Sequence, residues 1–141
     1  MTPTRVLIAD DHRLFAKTLE ALLAGEADFE VVGIAEDGVE ALQLATVLAP
    51  DVVLMDVDMP RLDGLAATKR LRLLGGPAVV LLSAADDAAS SPAALEAGAV
   101  AYLTKDRVAH ILVDTLRKLT AARASLSADG GADLAGRAHV G

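Results

Sequence analysis

Five short apolar runs recur along the chain, and within each run the apolar residues are nearly continuous rather than alternating with polar ones. Continuous runs rich in Val, Leu and Ile are typical of strands that are covered on both faces of a sheet. The runs lie at residues 5–9, 31–35, 52–55, 78–82 and 100–103. This pattern predicts five buried strands.

Between and after these runs, apolar residues recur at the spacing of one helical face. After the first run they are Phe15, Leu19, Leu22 and Leu23, and after the last run they are Val108, Ile111, Leu112, Leu116 and Leu119. Pro92 predicts the start of the fourth helix, because proline fits only the first turn of a helix. We expect the loop before it, residues 84–91, to be mobile.

Strands that alternate with helices form a parallel sheet, because each parallel step needs a crossover connection. The crossovers place helices on both faces of the sheet. Five strands alternating with five helices therefore predict an α/β fold, and 141 residues are enough for one domain with a sizeable core.

The pattern changes near the C-terminus. From about Ala122 onward the sequence is small, Gly-rich and without apolar periodicity. Such composition is typical of linkers and tails. We therefore expect one domain at residues 1–121, followed by a Gly/Ala-rich linker or tail at residues 122–141.

Composition and charge exclude several classes of function. Hydrophobic residues make up 53% of the chain but aromatic residues only 2%, so the core is aliphatic. A net charge of −7 argues against a general electrostatic grip on nucleic acid or on an anionic membrane. No DNA-reading motif follows the domain. We therefore expect no direct nucleic acid binding and no membrane binding by this chain.

The absence of cysteine excludes disulfides and thiolate metal sites. The N-terminus lacks the basic start and long apolar run of a secretion signal, and no apolar stretch reaches the roughly eighteen residues of a membrane span. We therefore expect a cytoplasmic protein.

The conspicuous polar residues follow the ends of the predicted strands. In an open α/β sheet, the carboxyl ends of the strands meet at one edge, where ligands bind. These residues are Asp10 and Asp11 after the first run, Asp56 and Asp58 after the third, Ser83 after the fourth and Lys105 after the fifth. Converging carboxylates raise one another's pKa values, so a cation is needed to hold them ionised. Oxygen ligands of this kind favour Mg²⁺ or Mn²⁺ over zinc.

A cation alone does not explain the hydroxyl of Ser83 and the ammonium of Lys105. Together with a metal-bound carboxylate they form a cradle for a phosphoryl group, whose oxygens need donors and positive charge. In such a site a carboxylate can be the nucleophile and form an acyl phosphate. Asp56 directly follows the central apolar run, so we expect it to be the residue that is phosphorylated.

Four separated motifs of this chain closely resemble the receiver domain of two-component response regulators. They are DDH at 10–12, LMDVDMPRLDG at 54–64, LLSA at 81–84 and AGAVAYLTKD at 97–106. The resemblance covers roughly residues 4–120, and the first and last motifs are most similar to the subfamily that often carries a LuxR-type DNA-binding domain. It implies a flavodoxin-like three-layer sandwich with strand order 2-1-3-4-5.

The resemblance also implies a function and a set of site residues. A sensor histidine kinase or phosphotransfer protein passes a phosphoryl group to Asp56, and the domain catalyses only its own phosphorylation and slow dephosphorylation. Mg²⁺ is held by Asp11, Asp56 and the backbone carbonyl of Asp58, with Asp10 acting mainly through a metal-bound water. The phosphoryl group pairs with Lys105.

By the same resemblance, Ser83 and Tyr102 form a switch pair that changes the face made by the fourth helix, the fifth strand and the fifth helix. That face is then available for self-association or for a partner. We place His12 outside the predicted site, because a lone histidine there is typical of packing or capping.

Two other classes of protein fit parts of the pattern. Phosphatases of the haloacid dehalogenase superfamily carry an Asp-x-Asp motif at a strand end, as in Asp56 and Asp58. In those enzymes the second acidic pair follows the motif, whereas here Asp10 and Asp11 precede it. The other class is a receiver-like interaction module that takes no phosphate, which the full set of acceptor residues disfavours.

Overall fold

The computed structural model describes the backbone of residues 2–84 and 91–133, and the side chains of residues 2–84 and 92–122. Most of the loop expected to be mobile, and the tail beyond residue 133, therefore lie outside the described residues. All of the predicted site residues lie within them.

Strands and helices alternate along the described chain, as the apolar runs predict. The strands are β1 (Thr4–Ala9), β2 (Phe29–Ala35), β3 (Val52–Asp56), β4 (Ala78–Ser83) and β5 (Ala101–Thr104). The helices are α1 (Arg13–Ala24), α2 (Gly38–Leu48), α3 (Gly64–Leu73), α4 (Ser91–Ala97) and α5 (Val108–Asp133).

The five strands form one parallel sheet in the order β2-β1-β3-β4-β5, which confirms the predicted topology. Its register fixes the polar edge. Ala9 of β1 pairs with Met55 of β3, so the residues that follow them, Asp10 and Asp56, lie side by side. Asp56 in turn pairs with Leu82 of β4, and Ser83 is the next residue.

Alternate residues of the central strands point to opposite faces of the sheet, and both faces are buried. One set packs against α2, α3 and α4 and includes Leu7, Val53, Met55 and Leu81. Residues of the other set, such as Ile8, Leu54 and Leu82, are also fully buried. Burial on both faces explains why the strands read as continuous apolar runs.

By its contacts the chain divides into two compact units, residues 1–109 and 110–141. The first contains the sheet, α1 to α4 and every predicted site residue. The second contains most of α5, which continues to Asp133, past the point near Ala122 where the sequence pattern loses its apolar face. Alanine, arginine and leucine in residues 121–126 favour a helix without an apolar face. Among the described residues, no helix is both long enough and apolar enough to span a membrane.

Candidate functional site

Three carboxylates meet at the carboxyl ends of β1 and β3. The side chains of Asp10 and Asp56 are almost fully buried, whereas that of Asp11 is 37% exposed. One carboxylate oxygen from each, together with a ring nitrogen of His12, lie within 4.8 Å of one another. The structure therefore brings Asp10, Asp11 and Asp56 together, as the strand ends predict.

Lys105 is the cation of this cluster. Its Nζ lies 3.2 Å from Asp56 Oδ2 and 3.0 Å from Asp10 Oδ2. It also lies 4.7 Å from the centre of the Phe15 ring on α1, a contact that places the ammonium over the aromatic face. One lysine thus holds two buried carboxylates, and an aromatic ring beneath it restricts its position.

The electrostatics of the site reflect this crowding of like charges. Burial, and then the neighbouring charge of Asp10, raise the pKa of Asp56 from 3.8 to about 6, although Lys105 opposes the shift. Burial opposes the charge on Lys105, but its ion pair with Asp10 and its hydrogen bond and ion pair with Asp56 outweigh burial and raise its pKa. At neutral pH the cluster therefore holds Asp56 in an ionised form that its surroundings disfavour.

The turn after β3 fixes the backbone around Asp56. The Val57 N–H donates to Leu82 O over 2.9 Å, and the Gly64 N–H donates to Val57 O over 2.8 Å. Gly64 packs directly on the Asp56 carbonyl, where a Cβ atom would collide with that oxygen. The Asp58 N–H donates to Asp56 Oδ1 over 3.2 Å, while the exposed Asp58 side chain points to no ion-pair partner within the described part of the chain.

Ser83 and Tyr102 form a separate pair at the end of β4 and β5. Their hydroxyl oxygens lie 2.6 Å apart, a strong hydrogen bond. Ser83 is buried and Tyr102 half-buried. The Lys105 N–H donates to Ser83 O over 2.7 Å, so the backbone joins this pair to the lysine of the acidic cluster.

The ring of His12 lies beside the acidic cluster, although we placed this residue outside the predicted site. It occupies the N-cap position of α1 but its side chain makes no capping hydrogen bond. Instead its Nδ1 lies 3.1 Å from Asp10 Oδ1 and 3.4 Å from Asp11 Oδ1. His12 is therefore the N-cap residue by position, as the packing or capping interpretation allows, but its side chain takes no part in the cap. Its place outside the site stays a prediction. A histidine adjoining two aspartates at a strand end was the available signal.

The donor set fits a hard divalent cation. Asp10 Oδ2 is buried and receives no hydrogen bond in the described part of the chain; its close neighbour is the Lys105 ammonium. Three carboxylates and one ammonium leave a charge of −2 around this point. Carboxylate oxygens in this number suit Mg²⁺ or Mn²⁺, so the structure contains an acidic cluster whose chemistry fits such an ion.

Comparison with known proteins identifies a family. Residues 6–117 match the family model of the response regulator receiver domain. The transcriptional regulatory protein LiaR of Bacillus subtilis is 41% identical over 114 residues, which make up 80% of this chain and 54% of LiaR. A protein-glutamate methylesterase/protein-glutamine glutaminase of Anaeromyxobacter dehalogenans is 41% identical over 108 residues, 75% of this chain and 30% of that protein.

A solved structure is similar in fold as well as in sequence. The signal receiver domain of the response regulator NarL from Mycobacterium tuberculosis superposes with a TM-score of 0.80 and 35% identity. The match covers 84% of this chain and 97% of that domain. The chain spans about half the length of LiaR, so the similarity concerns the receiver part of such regulators.

Proposed function

Because the chain belongs to the response regulator receiver domain family of two-component systems, we propose that Asp56 is the residue that accepts the phosphoryl group. The observation that carries this proposal is the position of the Asp56 carboxylate. It is buried at the end of the central strand and lies 3.2 Å from the Lys105 ammonium. A pKa raised to about 6 also makes it a better nucleophile than an ordinary aspartate, while it remains ionised at neutral pH.

In the proposed reaction an oxygen of Asp56 forms a bond to phosphorus while the bond between phosphorus and the donor atom breaks. The donor, a phosphohistidine nitrogen or the oxygen of a small acyl phosphate, keeps the bonding electron pair. Lys105 pairs with the added negative charge, and the Ser83 hydroxyl can donate to a phosphoryl oxygen. The adduct is then lost by slow hydrolysis, in which a water oxygen bonds to phosphorus as the bond to Asp56 breaks, so that the carboxylate is freed and inorganic phosphate leaves. We propose no other catalytic turnover.

The metal ligands that we propose are Asp11, Asp56 and the backbone carbonyl of Asp58, with Asp10 acting through a bound water. When bound, Mg²⁺ supplies positive charge that offsets the negative charge on the phosphoryl oxygens. The buried, incompletely compensated oxygen of Asp10 supports this assignment.

We propose that the signal leaves the site through Ser83 and Tyr102. Their hydroxyls are bonded to each other, so a Ser83 hydroxyl that turns toward a phosphoryl group must leave Tyr102. Tyr102 then changes its position on β5, which α4 contacts. The result is a population shift between two packings of the surface that β5 and α4 form. This shift alters self-association or partner binding at that surface.

The phosphodonor in this proposal is a sensor histidine kinase or a phosphotransfer protein in the cytoplasm. We propose residues 1–121 as the receiver domain and residues 122–141 as a linker or tail. Since LiaR is a transcriptional regulatory protein, we also propose that the signal controls transcription.

The test uses the full chain, Mg²⁺ and acetyl phosphate, with the adduct detected by intact mass and located by peptide mapping. One phosphoryl group per chain is expected on Asp56. Asp56→Asn should abolish it, because the amide is not a nucleophile.

Asp58→Asn is the matched control, since it makes the same chemical change two residues away. It should still give a stoichiometric adduct. An adduct that persists in Asp56→Asn, or that maps to Asp58, would overturn the assignment. Repeated turnover of small phosphate esters would instead indicate a phosphatase, and a lack of any reaction would indicate an inert receiver-like module.

A further inference from the structure

The imidazole of His12 is free of a structural task in the helix that it precedes. Its residue is the N-cap of α1, yet the ring makes no hydrogen bond to the first turn. The ring is 66% exposed at the mouth of the acidic cluster, with Nδ1 directed at the carboxylates. A metal ion bound to Nδ1 would replace its contacts with Asp10 Oδ1 at 3.1 Å and with the Lys105 ammonium at 3.5 Å, and no contact with the first turn of the helix would be lost.

The distances from His12 match those between ligands of a single metal ion. Ligand atoms about 2.1 Å from an octahedral ion lie about 3 Å from their neighbours and about 4.2 Å from the atom opposite. His12 Nδ1 lies 3.1 Å from Asp10 Oδ1, 3.4 Å from Asp11 Oδ1 and 3.8 Å from Asp56 Oδ2. The separations from Asp11 and Asp56, the two carboxylates proposed as direct ligands, fall within that interval. The 3.1 Å separation from Asp10, which is proposed to act through water, is that of a hydrogen bond.

A second observation, independent of His12, shows that the cluster lacks positive charge. The Asp10 side chain is fully buried, and its Oδ2 receives no hydrogen bond from any described group. Lys105 supplies one positive charge against three carboxylates. A neutral imidazole adds a lone pair without adding charge, so the cluster with His12 remains two positive charges short. One divalent cation supplies them.

We propose that His12 is a nitrogen ligand of the divalent metal in this site, in addition to the oxygen ligands of the proposed function on which this inference rests. An imidazole ligand changes the preference of the site among metals. Mg²⁺ favours oxygen ligands, whereas first-row transition metals such as Mn²⁺ and Co²⁺ bind imidazole well. The site therefore accepts Mg²⁺ but prefers Mn²⁺ and Co²⁺ more strongly than an all-oxygen site of the same charge.

Pulsed electron paramagnetic resonance of Mn²⁺ bound to the full chain tests the ligation directly. No phosphodonor is needed. Modulation from a directly coupled ¹⁴N nucleus is expected in the wild type, with the corresponding ¹⁵N pattern after labelling of histidine. His12→Gln should lose this coupling. His110→Gln should retain it, because His110 is not among the residues that the structure groups with the carboxylates.

Calorimetric titrations of Mn²⁺ and Mg²⁺ into the same variants measure the change in preference. His12→Gln should weaken Mn²⁺ binding by at least about tenfold and Mg²⁺ binding by clearly less. Equal losses for the two metals would overturn the proposal, since they would indicate an electrostatic or folding effect.

Each spectroscopic outcome separates this inference from the proposed function. Bound Mn²⁺ without nitrogen coupling would refute the role of His12 and leave the oxygen-ligand site in place, with the imidazole only a hydrogen-bond partner of Asp10. A wild type that binds neither Mn²⁺ nor Mg²⁺ would refute the metal site itself, and the proposed function with it.

Discussion

The edge of the sheet contains two regions that are built on opposite principles. At the ends of β1 and β3, the acceptor region (Asp10, Asp11, Asp56 and Lys105) holds like charges together with too few countercharges. At the ends of β4 and β5, the relay region (Ser83 and Tyr102) is a neutral pair that satisfies itself through a 2.6 Å hydrogen bond. The two regions are adjacent in the sheet, and the backbone of Lys105 joins them.

The difference indicates how such a site can both react and report. Buried carboxylates that repel one another destabilise the fold until a cation offsets their charge, so the acceptor region responds to pH and to metal. A neutral hydroxyl pair does not depend on pH or on metal. Its hydrogen bond breaks only when one of the two hydroxyls can bond to a better acceptor. In the function proposed above, phosphoryl transfer therefore takes place in the acceptor region, whose charges are costly to bury, and the signal passes through the relay region, whose hydroxyls are hydrogen-bonded.

Lys105→Met should have the largest effect on the stability of the metal-free protein. The variant keeps an apolar stem over Phe15 but leaves Asp10 and Asp56 without their ammonium. Breaking a buried ion pair costs roughly 3–5 kcal/mol, and because the Lys105 side chain is 20% exposed we expect a loss of about 3 kcal/mol. Urea unfolding with a chelator present measures this loss, and saturating Mg²⁺ should restore part of it.

Lys69→Met on α3 is the control, because Lys69 is exposed. It should change the free energy of unfolding by less than about 0.5 kcal/mol. Similar losses in both variants would mean that Lys105 does not compensate the carboxylates.

Asp56→Asn should stabilise the metal-free protein in a pH-dependent way. The folded-state pKa of Asp56 is about 6 and the unfolded value about 3.8, so the folded protein holds a proton between these values that the unfolded chain has lost. The wild type therefore loses stability as pH rises from about 4 through about 6. The advantage of the variant should grow over this window to the order of 2–3 kcal/mol and stay level above pH 7.

Unfolding of both proteins at pH 4.5, 6 and 8 in the presence of a chelator measures this difference. Asp58→Asn, which neutralises an exposed side chain, should follow the wild-type profile. An advantage of Asp56→Asn that did not increase with pH would contradict the raised pKa.

Removal of single carboxylates should rank the metal ligands of the acceptor region. If Asp11 binds the ion directly and Asp10 through water, Asp11→Ala should weaken Mg²⁺ binding at least as much as Asp10→Ala. A loss of about 10- to 100-fold is expected for Asp11→Ala. Calorimetric titration gives both dissociation constants, and the opposite order would reverse the two roles.

The sequence was sufficient to locate this edge because parallel strands place their carboxyl ends together. Asp10, Asp56 and Ser83 directly follow or end apolar runs, and the register of the sheet then sets them side by side. The start of β2 was harder to predict from the sequence. That strand begins at Phe29, earlier than its apolar run, because the exposed Glu30 of an edge strand interrupts the pattern.

Side-chain conformations were beyond reach of the sequence. The ammonium of Lys105 contacts Asp10 as well as Asp56, and this depends on how a long flexible side chain lies over Phe15. For the same reason the sequence could place His12 next to the acidic pair but could not tell whether its ring turned toward the helix or toward the carboxylates. The structure turns it toward the carboxylates.

Tyr102→Phe should have the smallest effect and should complete the contrast between the two regions. The substitution removes one hydroxyl and leaves that of Ser83, which retains a 3.2 Å hydrogen bond to the Ala84 carbonyl. A single neutral hydrogen bond contributes about 1 kcal/mol, so we expect a loss of that order in the free energy of unfolding. Because no charge is added or removed, the loss should be the same at pH 4.5, 6 and 8 and with or without Mg²⁺.

Urea unfolding under the six combinations of pH and metal tests this, with Tyr102→Phe compared with Asp56→Asn throughout. A loss for Tyr102→Phe that varied with pH or metal as Asp56→Asn does would mean that the two regions are already coupled before phosphorylation.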